Sequence, residues 1–255
     1  MTPLAGRSIV ITRPEKQAVE LAALIERSGG RAIRFPSLEI ATHDDTALND
    51  VVDRIDRYDL AIFISGNAVE HGLARVRRSR TWPTGLAIAA IGEATRERLA
   101  GEGFVDVISP DGAADTESLL AQPQLQSVQG KRIVIFRGVG GRETLAEGLR
   151  ARGAFVDYAE CYRRIRPVAD PKPVIDAWSS GSLHAVTVSS AEGLANLDSL
   201  LGVSGKPILR DTPLFVPHPR VADAARALGC AKVVVAGAAD EAMLASLVAY
   251  FGDSG

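Results

Sequence analysis

Apolar, β-branched runs alternate with helical patterns along the whole chain. Short runs at 8–12, 31–41, 59–64, 86–91 and 105–108 read as strands, and a second set at 132–136, 154–165, 184–188, 214–216 and 232–235 repeats the plan. Between these runs the apolar positions fall at helical spacing. Over 15–28, Val19, Leu21, Ala22, Leu24 and Ile25 share one face and Gly29-Gly30 ends the pattern, and a last helix is predicted over about 240–251. Five strand–helix steps in each half predict parallel sheets covered by helices on both faces. Two segments depart from the rest: 31–41 and 154–165 are longer than an average buried strand and mix charges with apolar residues, so both are candidates to cross between lobes.

The two halves are also alike residue by residue. Displaced by 124 residues, Gly6 falls on Gly130, Ile9-Val10-Ile11 on Ile133-Val134-Ile135, Arg13 on Arg137, Gly29 on Gly153, Ser65 on Ser189, Pro83 on Pro207 and Glu117 on Glu241. Hydrophobic phase alone does not fix glycine, proline, arginine and serine at one offset, so the chain reads as an internal duplication. The expected fold is α/β, with two similar parallel-sheet lobes of the flavodoxin or Rossmann kind joined by two crossing β-strands. The cleft between two such lobes is the default place for a ligand. The repeat by itself suggests lobes of 1–129 and 130–255, whereas an exchange at the crossing strands would permute the halves.

Bulk properties narrow the function classes. The 255 residues are 46% hydrophobic and 24% charged, the balance of an ordinary globular protein. A formal net charge of -2 argues against a mainly electrostatic nucleic-acid binder. The Arg77-Arg78-Ser79-Arg80 cluster sits where a helix ends, so its cations meet the helix dipole in solvent. Cys161 and Cys230 are far apart, with no Cys-x-x-Cys, which leaves a disulfide framework or zinc site without support. Met1 to Arg7 carries no apolar signal core and no later run approaches the length of a membrane span, so a cytoplasmic protein is expected.

In open α/β sheets, ligands bind beyond the carboxyl ends of strands. Those ends are Thr12-Arg13-Pro14, Ser65-Gly66-Asn67, Gly92-Glu93-Ala94-Thr95, Arg137-Gly138-Val139-Gly140-Gly141, Ser189-Ser190-Ala191 and Pro217-His218-Pro219-Arg220. Such a set donates hydrogen bonds and supplies few bases, which suits carboxylates or phosphates better than proton abstraction. Ser65 and Ser189 are equally expected as plain helix caps. The Gly138-Val139-Gly140-Gly141 turn resembles a dinucleotide loop, but Glu143 stands where its third glycine belongs and would oppose a pyrophosphate. His43, His71, His184 and His218 show no metal-ligand spacing, and no Gly-x-Ser-x-Gly elbow occurs. Tyr162 lies on the second crossing strand, where it either hangs into the cleft or packs a hinge. Glu39 and Glu160, on the crossing strands, read as strand-face charges.

Taken in order, these segments resemble the uroporphyrinogen-III synthase family. The resemblance runs through Ile11-Thr12-Arg13-Pro14, Phe35-Pro36-Ser37-Leu38-Glu39-Ile40, Phe63-Ile64-Ser65-Gly66-Asn67-Ala68-Val69, Ala90-Ile91-Gly92-Glu93-Ala94-Thr95 and Arg137-Gly138-x-Gly140-Gly141-Arg142-Glu143-x-Leu145. Cys161-Tyr162-Arg163-Arg164 and Val216-Pro217-His218-Pro219-Arg220-Val221-Ala222 complete it. It implies exchanged halves, one lobe from 1–37 plus 167–255 and the other from 38–166, with the active site in the cleft between them. It also implies a hydro-lyase that needs no cofactor and no metal. The substrate would be hydroxymethylbilane, whose eight carboxylates suit a cleft of amides, hydroxyls and arginines.

By the same resemblance the hydroxyl leaves ring D to give an azafulvene cation. Attack at the substituted carbon of ring D forms a spiro intermediate, and fragmentation with reclosure inverts that ring. Tyr162 would assist departure of the hydroxyl. Arg13, Pro14, Ser65, Gly66, Asn67, Gly92, Thr95, Arg137, Gly138, Ser189, Ser190, His218, Pro219 and Arg220 would bind substrate. Some relatives carry a Thr-rich turn at Pro217-His218-Pro219-Arg220, which makes His218 and Arg220 carboxylate ligands here. A monomer is expected, with no nucleic-acid or membrane partner and with transient contact to the upstream hydroxymethylbilane synthase as the one protein partner to consider. Two other classes stay open: a two-lobed sensor that binds a polycarboxylate without turnover, and a nucleotide-dependent enzyme using Gly138 to Gly141.

Overall fold

The structure, a computed structural model, describes residues 2–252. Among them the strands are β1 (Ser8–Ile11), β2 (Arg31–Arg34), β3 (Glu39–Thr42), β4 (Leu60–Phe63), β5 (Ala87–Ala90), β6 (Val107–Ile108), β7 (Arg132–Gly138), β8 (Phe155–Ile165), β9 (Leu183–Thr187), β10 (Leu214–Val216) and β11 (Val233–Val235). The α-helices are α1 (Val19–Arg27), α2 (Thr46–Asp53), α3 (Gly66–Arg77), α4 (Glu93–Gly101), α5 (Thr116–Leu120), α6 (Pro123–Gln126), α7 (Thr144–Ala151), α8 (Lys172–Ser179), α9 (Ala191–Asp211), α10 (Pro219–Ala227) and α11 (Asp240–Gly252). The chain divides into two compact units: one holds the residues up to Glu39 and from Ile165 on, and the other Ile40–Arg164.

The first unit is built on a parallel sheet in the order β11-β10-β9-β1-β2. Its central strands β1, β9 and β10 are largely buried on both faces, since successive residues point to opposite sides and helices cover each, whereas the edge strands β2 and β11 are partly exposed. Val10, Val186 and Val216 pack with Val174 of α8, Leu194 and Leu197 of α9 and Val221 of α10. Ile9, Ile11 and Phe215 pack with Leu21 and Ile25 of α1 and Met243 and Leu247 of α11. Helix α9 bends at Gly202, whose backbone is not helical.

The second unit carries the order β3-β8-β7-β4-β5-β6, with every pairing from β8 to β6 parallel. Ala61, Phe63, Val134 and Phe136 face α2 and α3, whereas Leu60, Ile62, Ile133 and Ile135 face α5, α6 and α7. The duplication is visible in the registers. Ser8 pairs with Arg31 in one sheet, and Arg132 pairs with Phe155 in the other, both shifted by 124. The first sheet joins β1 and β2 of one repeat to three strands of the other, and the second joins β7 and β8 to four strands of the first repeat.

One predicted strand divides. The run 31–41 forms β2 and β3, separated by Phe35 to Leu38. Phe35 and Ser37 still donate their N–H groups to the carbonyls of Ile11 and Thr12, at 2.9 and 3.0 Å. Pro36 between them has no N–H to give, and the strand ends there. Run 154–165 holds as the single strand β8, which β3 flanks.

Candidate functional site

In the second unit the ends of β8, β7, β4 and β5 lie side by side, so the sheet gathers Tyr162, Arg137 with Gly138, Ser65 to Asn67, and Gly92 with Thr95 along one edge. The arrangement turns on a β-bulge. Arg137 pairs with Glu160 but Gly138 pairs with Tyr162, which leaves Cys161 as the extra residue. Simple alternation would put Tyr162 on the face of Tyr158 and Glu160. The bulge turns it instead to the face of Ala159, Cys161 and helix α3. There the Tyr162 hydroxyl lies 3.1 Å from the Ser65 hydroxyl, and the His71 ring is 5.8 Å away, centroid to centroid. Ser65 is also the N-cap of α3 and accepts the Ala68 N–H at 3.1 Å. Tyr162 is buried, and its carbonyl accepts the Val139 N–H at 2.8 Å.

Arg137 sits on the opposite face of the same sheet and is 2% exposed. Its guanidinium meets Glu143 at 3.0 Å, the Glu160 carboxylate at 3.8 Å and the carbonyl of Gly140, and stacks over Tyr158 at 4.5 Å. Gly140 and Gly141, with φ of 72° and 110°, let the loop curl around this cation. Glu160, expected as a strand-face charge, instead accepts the Gly140 N–H at 3.0 Å. The Tyr158 hydroxyl and the Arg137 guanidinium hold the Glu143 carboxyl below its ordinary range. The Gly-rich turn is therefore filled by its own ion cluster. Gly92 caps α4, with the Ala114 segment packed so closely that a Cβ there would fall 2.8 Å from the Ala114 Cα, and Thr95 is buried behind it. Burial pushes the Cys161 thiol up to about 12, so this group stays protonated in the core.

In the first unit the ends of β10, β9 and β1 are neighbours and gather His218 to Arg220, Ser189 with Ser190, and Thr12 to Pro14. Arg13 is held by Asp240 at the start of α11 and donates to the Ala238 carbonyl at 3.0 Å. Pro14 is buried and opens a single 3-10 turn. His218, Pro219 and Arg220 are exposed at the N-terminus of α10, where His218 makes no capping bond with its side chain.

Ser190, rather than Ser189, caps α9 and accepts the Gly193 N–H at 3.0 Å; Ser189 is exposed. The reason lies at the start of β9. Ser8 faces Leu183 and Ile9 faces Ala185, so His184 is skipped, and its Nδ1 accepts the Ser8 N–H at 3.1 Å. That extra residue shifts the repeat by one, and the structural partner of Ser65 becomes Ser190. Asp240 and Glu143 are the acids that hold the two strand-end arginines; Glu143 is marked in the sequence only as a misfit to a dinucleotide loop and Asp240 not at all, and the signal both carry is an acid close to the start of a helix.

The chain matches the family model described as uroporphyrinogen-III synthase HemD over residues 19–246. It is 35% identical over 245 residues to the uroporphyrinogen-III synthase of Salmonella typhimurium, covering 94% of this chain and 99% of that one. To the Escherichia coli enzyme of the same name it is 33% identical over 244 residues, with the same coverage of 94% and 99%. In fold it resembles a mutant uroporphyrinogen III synthase from Thermus thermophilus, with a TM-score of 0.62 at 18% identity over 98% of this chain and 100% of that one. The Helicobacter pylori uroporphyrinogen-III synthetase gives 0.62 at 14% identity over 96% and 99%. A match of this extent and the shared fold lead to one conclusion: the chain belongs to the uroporphyrinogen-III synthase family.

Proposed function

We propose that this chain closes hydroxymethylbilane into uroporphyrinogen III in the cytoplasm, inverting ring D with loss of water, as a monomer that needs no cofactor. The strand-end edges of both units take up the substrate. Exposed or half-buried donors at helix starts, namely Gly66, Asn67, Ser189, Ser190, His218 and Arg220, receive its carboxylates. Pro14, Gly92, Thr95 and Pro219 shape the turns that carry these donors, while Arg13 and Arg137 hold the loops around them. Among the described residues no helix is long and apolar enough to cross a membrane.

The observation that carries the chemistry is the pair of Tyr162 and Ser65 hydroxyls at 3.1 Å. Tyr162 hydrogen-bonds the departing ring D hydroxyl as its C–O bond breaks, and Ser65 offsets the charge that grows on the phenol oxygen. An unperturbed tyrosine has a pKa near 10, so the donor assists and does not alone set the rate. Holding the flexible chain folded is the larger part of the task, since undirected closure leaves ring D uninverted. The test is to feed the protein freshly made hydroxymethylbilane and separate the oxidised products into type I and type III isomers. Type III in excess of the enzyme-free control supports the reading, and Tyr162→Phe is expected to slow its formation without abolishing it. Type I alone, from folded protein and competent substrate, overturns it and leaves a binding protein without turnover.

A further inference from the structure

We propose that Gly138 is a positioning residue for the Tyr162 phenol, its missing side chain leaving the room in which the ring stands. The inference rests on Tyr162 acting in the reaction. A Cβ built on Gly138 would lie 2.7 Å from Cε2, 2.8 Å from Cζ and 3.2 Å from Cδ2 of Tyr162. These atoms form one side of the ring, up to the carbon that bears the hydroxyl. The ring is held on several sides. Its backbone is tied by the Val139 N–H, its hydroxyl meets Ser65, and the rest of the side chain is buried with Cys161 and Ala159 against α3. Gly138 itself is not in the left-handed backbone region, so alanine fits its conformation and only the ring opposes it. The bulge that leaves Cys161 over is what brings Tyr162 opposite Gly138. Bulge and glycine thus form one device: the first turns the phenol toward Ser65 and the second leaves it room to stay there.

The experiment compares Gly138→Ala, Tyr162→Phe and the double variant in single-turnover formation of the type III isomer. Gly138→Ala is expected to lower the rate about 10-fold, a partial loss of the roughly 100- to 10,000-fold that a well-placed proton donor contributes, with KM for hydroxymethylbilane, from steady-state runs, unchanged. The double variant is expected to be no slower than Tyr162→Phe alone, because the hydroxyl that Gly138 serves is already gone. A Gly138→Ala rate equal to wild type, a loss confined to KM, or effects that multiply in the double variant would each overturn the proposal. Tyr162→Phe at the wild-type rate would instead remove the role of the phenol, a separate failure. Should Gly138→Ala not fold, the clash predicts rescue of folding by Tyr162→Leu; if that second change does not restore the fold, the ring is not what the glycine accommodates.

Discussion

Helix α3 carries Ser65 at its start, and its seat against the sheet depends on Gly72. A Cβ at Gly72 would fall 2.6 Å from Cδ1 of Phe136. In α7 a Cβ at Gly148 would fall 2.6 Å from Cδ1 of Leu120, the same distance. Helix propensity alone predicts that Gly→Ala stabilises by about 1 kcal/mol at either site. The neighbours decide otherwise. Phe136 is fully buried and stacked on Phe63, with ring centroids 4.6 Å apart and planes 9° from parallel, so it cannot turn aside. Leu120 is only partly buried and ends in methyl groups that rotate away. Overpacking a rigid core costs about 1–3 kcal/mol, and the Phe136 contact belongs at the upper end. We expect Gly72→Ala to destabilise by about 2 kcal/mol and Gly148→Ala to be neutral or to stabilise by up to about 1 kcal/mol. Both residues lie in the second unit, where Trp82 reports unfolding by fluorescence, so urea titration of the two variants compares like with like. Equal shifts of the same sign would refute the argument that the yielding of the neighbour sets the sign.

The alkaline limb of stability is a second expectation. Burial raises the Cys161 thiol from 9.0 to about 12, so its contribution is fully present below about pH 9 and is lost as pH rises through 12. Cys161→Ala should flatten the fall of stability with pH in that window, measured by urea midpoints, and thiol reagents at pH 8 should label neither cysteine until the protein unfolds. At the β9 bulge, His184→Ala leaves the buried Ser8 N–H without its acceptor and should cost about 1–3 kcal/mol, read by Trp178 fluorescence in the first unit.

Much of the fold is legible from hydrophobic period and repeat, because both follow from burying each strand on two faces. Positions of β4, β5, β7 and β10 match the apolar runs to within a residue or two. The grouping of the strand-end residues along one edge of each sheet is legible, and their contacts are less so. Arg13 and Arg137 look from sequence like ready carboxylate receptors, yet each is taken by an acid that arrives from another turn, Asp240 or Glu143. No local pattern states which acid a distant fold will deliver. The two bulges are equally silent. Neither the skip of His184 nor the extra Cys161 disturbs the apolar count, but one moves the α9 cap from Ser189 to Ser190 and the other turns Tyr162 across the sheet.

The duplication makes the second bulge informative. Ser37 is the repeat partner of Cys161, and it occupies the same surroundings. Its hydroxyl donates to the Thr12 carbonyl at 3.3 Å and lies 3.3 Å from where a Cβ on Gly193 would be, in the first turn of α9. The Cys161 sulfur lies 3.5 Å from the Arg137 carbonyl and 3.8 Å from the Ala68 carbonyl, in the first turn of α3. Both units therefore keep a small polar side chain wedged between the end of the first repeat strand and the capped helix. The following residue breaks the symmetry: it is Tyr162 in one unit and the buried Leu38 in the other. β2 ends at Arg34, ahead of Pro36 and four residues before Leu38, while β8 continues to Ile165 beside β3. In the first unit, the capping Ser190 accepts the Gly193 N–H and the position matching Tyr162 is Leu38, which carries no hydroxyl. A duplicated scaffold thus offers two similar helix starts, and the bulge pairs one of them, that of α3, with a phenol.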